Sequence, residues 1–288
     1  MIRLAPTPSG YLHKGNLFSF WLTQELSAHH GQELMLRVDD LDTYRVREEY
    51  VQFIFEALPF FGISWQIGPR SAADLAAQWS QKHRLKQYNH CIERLQRDGH
   101  LFACTCSRKQ MRLSVASSGC VGDCKQSTLQ DPGLPHAFRL KTGGDPQSFL
   151  TLDGPESTLH PDPEMKDFVV RRKDGLPAYQ IASLVDDLHF GPWGIVRGSD
   201  LLPSTWAQLQ LASLLREQAF ACIHFVHHGL IDRADEELPN EKLSKSHAAP
   251  ALQLTSSART ELKEEYLVWK RKEKAAAYLD RSRGSMRA

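Results

Sequence analysis

An α/β fold built around a doubly wound parallel sheet is predicted by three features at the start of the sequence. An apolar strand candidate, Ile2–Ala5, runs into a loop punctuated by Pro6 and Gly10. A helical stretch follows from about Lys14 to His30, carrying Leu17, Phe18, Phe20, Trp21, Leu22 and Leu26. A second strand candidate, Glu33–Val38, comes directly after it. Strand, helix and strand in so short a span make a βαβ unit, and its right-handed crossover lays the two strands parallel.

The remaining elements fit that class. Arg47–Phe61 and Gln81–Gly99 read as helices, the second closed by Asp98-Gly99. Leu101–Lys125 is irregular and rich in cysteine, and 126–166 is rich in Pro, Gly, Asp and Ser, with short strands at Ala137–Leu140 and Phe149–Leu152. Regular structure resumes at Asp167–Arg172 and Ala178–Val185. A strand at Ile195–Arg197, a helix over Ser204–Glu217 and a strand candidate at His224–His228 follow. Arg233–His247 is charged and loop-like, and an amphipathic helix over Ala258–Leu279 comes last. The expected organisation has four parts: 1–100, the first half of the α/β domain; 101–166, an insertion; 167–252, the second half; and 253–288, a helical tail.

The 288 residues suffice for a sizeable core, and 41% hydrophobic with 24% charged residues is ordinary for a globular protein. The 35 Lys and Arg against 34 Asp and Glu leave a net charge of +1, which disfavours wholesale coating of nucleic acid but allows a local basic patch. The N-terminus lacks the basic and apolar regions of a signal peptide, and no apolar run approaches the roughly 18 residues of a membrane helix. A cytoplasmic protein with no membrane partner is expected.

Three motifs carry chemistry. The first is the loop Pro6–Gly10 continuing through Gly10-Tyr11-Leu12-His13-Lys14-Gly15-Asn16. It lies between a strand end and a helix N-terminus, where doubly wound sheets bind nucleotides. Gly10 and Gly15 permit close backbone approach, and His13 can donate to a phosphate oxygen. The loop matches neither the dinucleotide fingerprint nor a Walker loop. The second motif, Lys242-Leu243-Ser244-Lys245-Ser246, places two lysines where a departing pyrophosphate gains charge. The third is Cys104, Cys106, Cys120 and Cys124, four of the six cysteines. Four soft ligands suit tetrahedral zinc, and a closed thiolate shell makes that metal structural, one per chain. Cys91 and Cys222 read as core residues. His224, His227 and His228 read as strand-end or surface residues before a second metal site. The charged face of the last helix, Lys263–Lys274, reads as a solvated face over an apolar stripe.

Taken together, P-x-P-S-G-x-L-H-x-G-N and K-L-S-K-S resemble, in order, the two signature sequences of class I aminoacyl-tRNA synthetases. R-L-A-P-T-P-S-G, L-R-V-D-D-L-D, D-G-L-P-A-Y-Q-I-A-S-L-V-D-D and I-V-R-G-S-D-L-L resemble the glutamyl subgroup. With only a short helix after the lysine motif, the chain is most similar to the glutamyl-queuosine tRNA(Asp) synthetase family, stand-alone paralogues of the catalytic half.

That resemblance implies a Rossmann-like class I catalytic domain with a zinc-bearing insertion. It implies Mg²⁺ with ATP, L-glutamate as substrate, and queuosine-containing tRNA(Asp) as acceptor. It assigns His13, Lys242 and Lys245 to catalysis. Pro6, Gly10, His13, Gly15, Asn16 and Lys245 go to ATP, and Arg3, Thr7, Asp39, Tyr179 and Arg197 to glutamate. Arg3 and Arg197 suit a diacid because guanidinium binds carboxylates in a fork. Asp39 stands where the family usually has Glu. Asn16 stands at the second histidine position of the first signature, and Cys120 where the family often has Tyr. Three alternatives stay open: an enzyme charging a tRNA 3′ end, a nucleotidyltransferase acting on another small acid, and a non-catalytic RNA-binding paralogue.

Overall fold

The structure is a computed structural model, and it describes residues 1–106, 123–125, 135–152, 156–231 and 250–272. Its strands are β1 (Ile2–Leu4), β2 (Leu34–Leu36), β3 (Leu101–Cys104), β4 (Ala137–Leu140), β5 (Gln147–Thr151), β6 (Ser157–Leu159), β7 (Val169–Arg171), β8 (Gly194–Gly198) and β9 (His224–His228). Its longer helices are α1 (Lys14–His29), α2 (Glu48–Phe60), α3 (Leu85–Arg97), α4 (Tyr179–Phe190), α5 (Leu202–Leu214) and α6 (Ser256–Lys272).

The chain divides into two compact units. The first comprises Met1–Ser80, Gly194–Ser199 and the described residues from Val226 onward. Its strands run in the order β2-β1-β8, followed by the last three residues of β9. β1 is parallel to both neighbours, with Arg3 opposite Met35 on one side and Ile195 on the other. This is the expected βαβ unit, with β1 central between β2 and β8. Pro6 ends β1 because proline supplies no ladder donor. α1 buries Leu17, Phe18, Phe20, Trp21, Leu22 and Leu26, so it is apolar around most of its circumference, as a helix covered on more than one side must be. The Trp21 indole donates to the Phe61 carbonyl at 3.0 Å, tying α1 to the end of α2.

α2 opens with Glu48 and Glu49, which complement the helix dipole, and buries Val51, Ile54, Ala57 and Leu58 at helical spacing. Beyond it, the Leu36 amide donates to the Ile67 carbonyl at 2.8 Å, and Met35 bridges Ile67 in parallel. Gly68 is required there. Its φ is +114°, and a Cβ would lie 2.1 Å from the Leu36 carbonyl oxygen.

α6 belongs to the same unit. Tyr266 is fully buried and Trp269 nearly so. Both rings meet Phe18 of α1, at centroid distances of 5.5 and 5.7 Å. Lys263 lies 4.6 Å from the Trp21 ring, Lys14 pairs with Glu265 at 2.8 Å, and Lys270 pairs with Glu25. The mixed-charge face is thus occupied with α1, over the expected apolar stripe.

The second unit comprises Gln81–Trp193 and Asp200–Phe225. It holds the antiparallel sheet β3-β4-β7 and, separately, β5 paired parallel to the start of β9 and antiparallel to β6. α4 ends at Gly191, whose left-handed conformation (φ 63°) caps the helix through a hydrogen bond to the Asp187 carbonyl. At its heart is Asp186, wholly buried. It accepts from Arg84 Nε at 2.6 Å, Tyr88 Oη at 2.6 Å and Gln81 Nε2 at 2.8 Å.

This hub explains a departure from expectation. The helix foreseen over Gln81–Gly99 opens as a 3₁₀ turn, Gln81–Arg84, and becomes α3 at Leu85. The tighter turn directs both Gln81 and Arg84 inward to one carboxylate. The regular segment foreseen at Ala178–Val185 is a helix that runs on to Phe190. Cys222, expected in a core, is exposed, because it caps the short surface turn Gln218–Ala221.

Candidate active site

His13 is the N-cap of α1, and the sequence around it builds a reciprocal cap. The Gly15 amide donates to His13 Nδ1 at 3.1 Å, and the His13 amide donates to Asn16 Oδ1 at 3.1 Å. Two of the helix's otherwise orphaned N–H groups are satisfied this way. Because Nδ1 accepts, the neutral ring carries its proton on Nε2. Burial lowers the His13 pKa from its ordinary value, so the neutral donor form prevails at pH 7. Gly15 makes room for that ring, since a Cβ there would come within 3.0 Å of His13 Cε1. Around Gly10 the space is open. Asn16, a departure from the signature's second histidine, serves as the other half of the cap.

The turn is also the place where the chain returns from the lysine motif. Lys242 and Lys245 lie outside the described residues. The described chain resumes at Pro250, and Ala251 forms an antiparallel bridge with His13, with the Leu252 amide donating to the Leu12 carbonyl at 2.9 Å.

Arg3, Asp39 and Arg197 share one end and one face of the parallel sheet. The β1–β2 ladder continues past the strands: the Arg37 amide donates to the Leu4 carbonyl and the Asp39 amide to the Pro6 carbonyl, each at 2.9 Å. Carrying the β1–β8 register forward puts Ala5 opposite Arg197. With side chains alternating, Arg3, Arg37, Asp39 and Arg197 fall on the same side, and all are buried. Thr7 is exposed in the adjoining loop. Tyr179 is the first residue of α4 in the second unit and is 43% exposed.

Sequence reasoning missed two partners here. Arg37 grips Asp39 with Nε to Oδ1 at 2.7 Å and Nη2 to Oδ2 at 3.1 Å. Ser80 donates to Asp40 Oδ2 at 2.6 Å. The i, i+2 spacing of Arg37 and Asp39 on an extended segment was the available signal for the first; nothing local pointed to Ser80.

On β9, the strand next to β8, His227 has its pKa lowered to about 3, first by burial and then by the charges of Arg197 and His228. It is neutral at pH 7. His228, expected at a strand end or on the surface, is buried. Its Nε2 meets Ser19 Oγ of α1 at 2.9 Å and its Nδ1 the Gly229 carbonyl at 2.9 Å.

In the second unit, Cys104, Cys106 and Cys124 bring their sulfurs within 4.8 Å of one another, with Cys106 and Cys124 at 3.8 Å. Tetrahedral coordination at about 2.3 Å implies sulfur–sulfur edges of about 3.8 Å, so the three thiols fit one metal ion. Cys104 is set by the end of β3, opposite Ala137. Cys120 lies outside the described residues.

The central parallel strands, the capped turn and the returning segment form an α/β domain, and comparison with known proteins supplies its family. Residues 1–261 match the family described as tRNA synthetases class I (E and Q), catalytic domain, so the chain belongs to that family. Within it, the chain belongs to the glutamyl-Q tRNA(Asp) synthetases. It is 35% identical over 256 residues to the one from Pseudomonas aeruginosa, covering 89% of this chain and 80% of that protein. It is 33% identical over 240 residues to the one from Nitratidesulfovibrio vulgaris, covering 77% and 72%. Among solved structures it resembles a glutamate tRNA ligase from Elizabethkingia meningosepticum, with a TM-score of 0.63 and 21% identity over 80% of this chain. That similarity speaks for the fold, and the chain spans about half the length of that ligase, 49%. No described helix is long and apolar enough to cross a membrane.

Proposed function

We propose that this chain, a member of a family of ATP-dependent ligases, activates L-glutamate as an adenylate in the cytoplasm. It then transfers the glutamyl group to the queuosine base in the anticodon of tRNA(Asp). The observation that carries the reading is the bridge between His13 and Ala251, which draws the segment following Lys242 and Lys245 back to the turn that caps α1.

In the first step an α-carboxylate oxygen of glutamate attacks the α-phosphorus of ATP, and the bond to pyrophosphate breaks. The protein supplies no nucleophile. Its contribution is positioning and charge stabilisation. His13 donates from Nε2 to a phosphate oxygen, the α1 N-terminus adds its dipole, and Lys242 and Lys245 meet the leaving pyrophosphate. Pro6, Gly10, Gly15 and Asn16 shape the same turn. Mg²⁺ would accompany ATP and neutralise its phosphates. Arg3 and Arg197 bind the diacid, Asp39 faces its ammonium, and Thr7 and Tyr179 are the further residues that the family resemblance assigns to glutamate. In the second step a hydroxyl of the queuosine cyclopentenediol attacks the acyl carbon and AMP leaves. Cys104, Cys106 and Cys124, with Cys120, would hold one structural zinc.

The test is ATP–pyrophosphate exchange with glutamate and aspartate, then transfer of labelled glutamate to tRNA from cells with and without queuosine. Glutamate-dependent exchange, and labelling confined to the queuosine-containing pool, are expected. Equal labelling of both pools would sink the queuosine acceptor. Lys245→Ala should abolish exchange in a folded protein; an unchanged rate removes the proposed role of that lysine.

A further inference from the structure

The sheet end carries a buried aspartate, Asp39, and two residues before it a buried arginine, Arg37. Both backbones are fixed: the Arg37 and Asp39 amides each extend the ladder to β1 at 2.9 Å. Residues two apart on an extended segment share a face, so the side chains meet over a short, rigid path. The guanidinium donates from Nε to one carboxylate oxygen at 2.7 Å and from Nη2 to the other at 3.1 Å. Both side chains are almost wholly out of water, 2% and 6% exposed. A two-point bond of this kind fixes orientation as well as position. A carboxylate has about four acceptor sites, so a fork that takes one on each oxygen defines the directions in which the same acid addresses anything else.

We propose that Arg37 is a positioning residue of the amino-acid subsite: it clamps Asp39, and the clamped pair, rather than Asp39 alone, selects the α-ammonium group of the substrate. The inference rests on the glutamate-activating function proposed above. The fork holds the Asp39 carboxylate at a fixed angle. In this reading Arg37 acts through Asp39.

The test compares glutamate with glutarate, the same diacid without its amino group. In ATP–pyrophosphate exchange, Arg37→Lys keeps the charge but loses the fork. It should raise the KM for glutamate by about tenfold, the equivalent of one charge-assisted hydrogen bond. The inhibition constant of glutarate and the KM of ATP should each stay within about twofold. Should Arg37→Lys fail to fold, Arg37→Met/Asp39→Asn is compared with Asp39→Asn: if Arg37 acts only through Asp39, the two should share one KM for glutamate within about twofold, and a further rise in the double variant would overturn the proposal. Glutamate and glutarate weakening together, or neither changing, would overturn the proposal. A wild-type protein with no glutamate-dependent exchange would instead remove the functional reading beneath it.

Discussion

Replacing His13 separates its two jobs. As N-cap it holds the first turn of α1 through the Gly15 amide at 3.1 Å. As a neutral ring with a proton on Nε2, it is proposed to donate to a phosphate oxygen. His13→Ala loses both. Loss of an N-cap costs about 1 kcal/mol, which for a domain of this size lowers Tm by roughly 2–4 °C. Loss of one transition-state donor slows the chemical step by about 10²–10³-fold. His13→Asn separates the effects, because asparagine is among the best N-caps but its shorter side chain, turned back to cap, cannot also reach the phosphate. The expected result is a Tm within about 1 °C of wild type together with an exchange rate still down by at least about 10²-fold. Thermal melts and steady-state exchange on the three proteins decide it. Normal exchange by the His13→Asn variant would refute the donor role, whatever the His13→Ala variant does.

Three further outcomes follow from described contacts. His227, with its pKa pushed down to about 3, takes up a proton on unfolding below about pH 6.5. Its share of the stability is therefore present above pH 6.5 and lost as pH falls toward 3. His227→Gln should flatten the fall in unfolding free energy between pH 6 and 4 by about 1.3 kcal/mol per pH unit, and an unaltered slope would count against its buried neutral state. Asp186→Ala strands the Arg84 guanidinium, which now bonds that carboxylate at 2.6 Å. Denaturant titration should show a loss of about 3–5 kcal/mol, whereas a change under about 1 kcal/mol would mean Arg84 finds another partner. Cys106→Ser should reduce bound zinc measured by elemental analysis, and a chelator should lower the Tm of the wild type but not of the variant. Full zinc occupancy in the variant would exclude Cys106 as a ligand.

Much of this fold was legible because periodicity and punctuation agree. The run from Ile2 to Leu36 declares its strand, turn, helix and strand through apolar spacing broken by Pro6 and Gly10, and the structure reproduces the order with ends moved by a residue or two. The cysteine cluster was legible because its ligands are close in sequence. What escaped depends on partners far apart. The 3₁₀ opening before α3 answers to Asp186, more than a hundred residues away from Arg84, and no local propensity encodes it. The burial of His228 follows from Ser19 and Trp269, on elements from opposite ends of the chain. Arg37 stood in plain view, but an arginine beside three aspartates reads equally well as a solvated strand end until the ladder shows which face it occupies.

The match to the catalytic-domain family covers residues 1–261, and the aromatic seal over α1 lies further on, at Tyr266 and Trp269. Each ring withdraws on the order of 150–250 Å² from water, worth several kcal/mol at about 25 cal/mol/Å². Trimming the chain to the homologous boundary would therefore leave Phe18 and Trp21 bare on the helix that presents His13. Such a trimmed protein is expected to clump through that exposed aromatic face, because the rings that cover it lie beyond the family match.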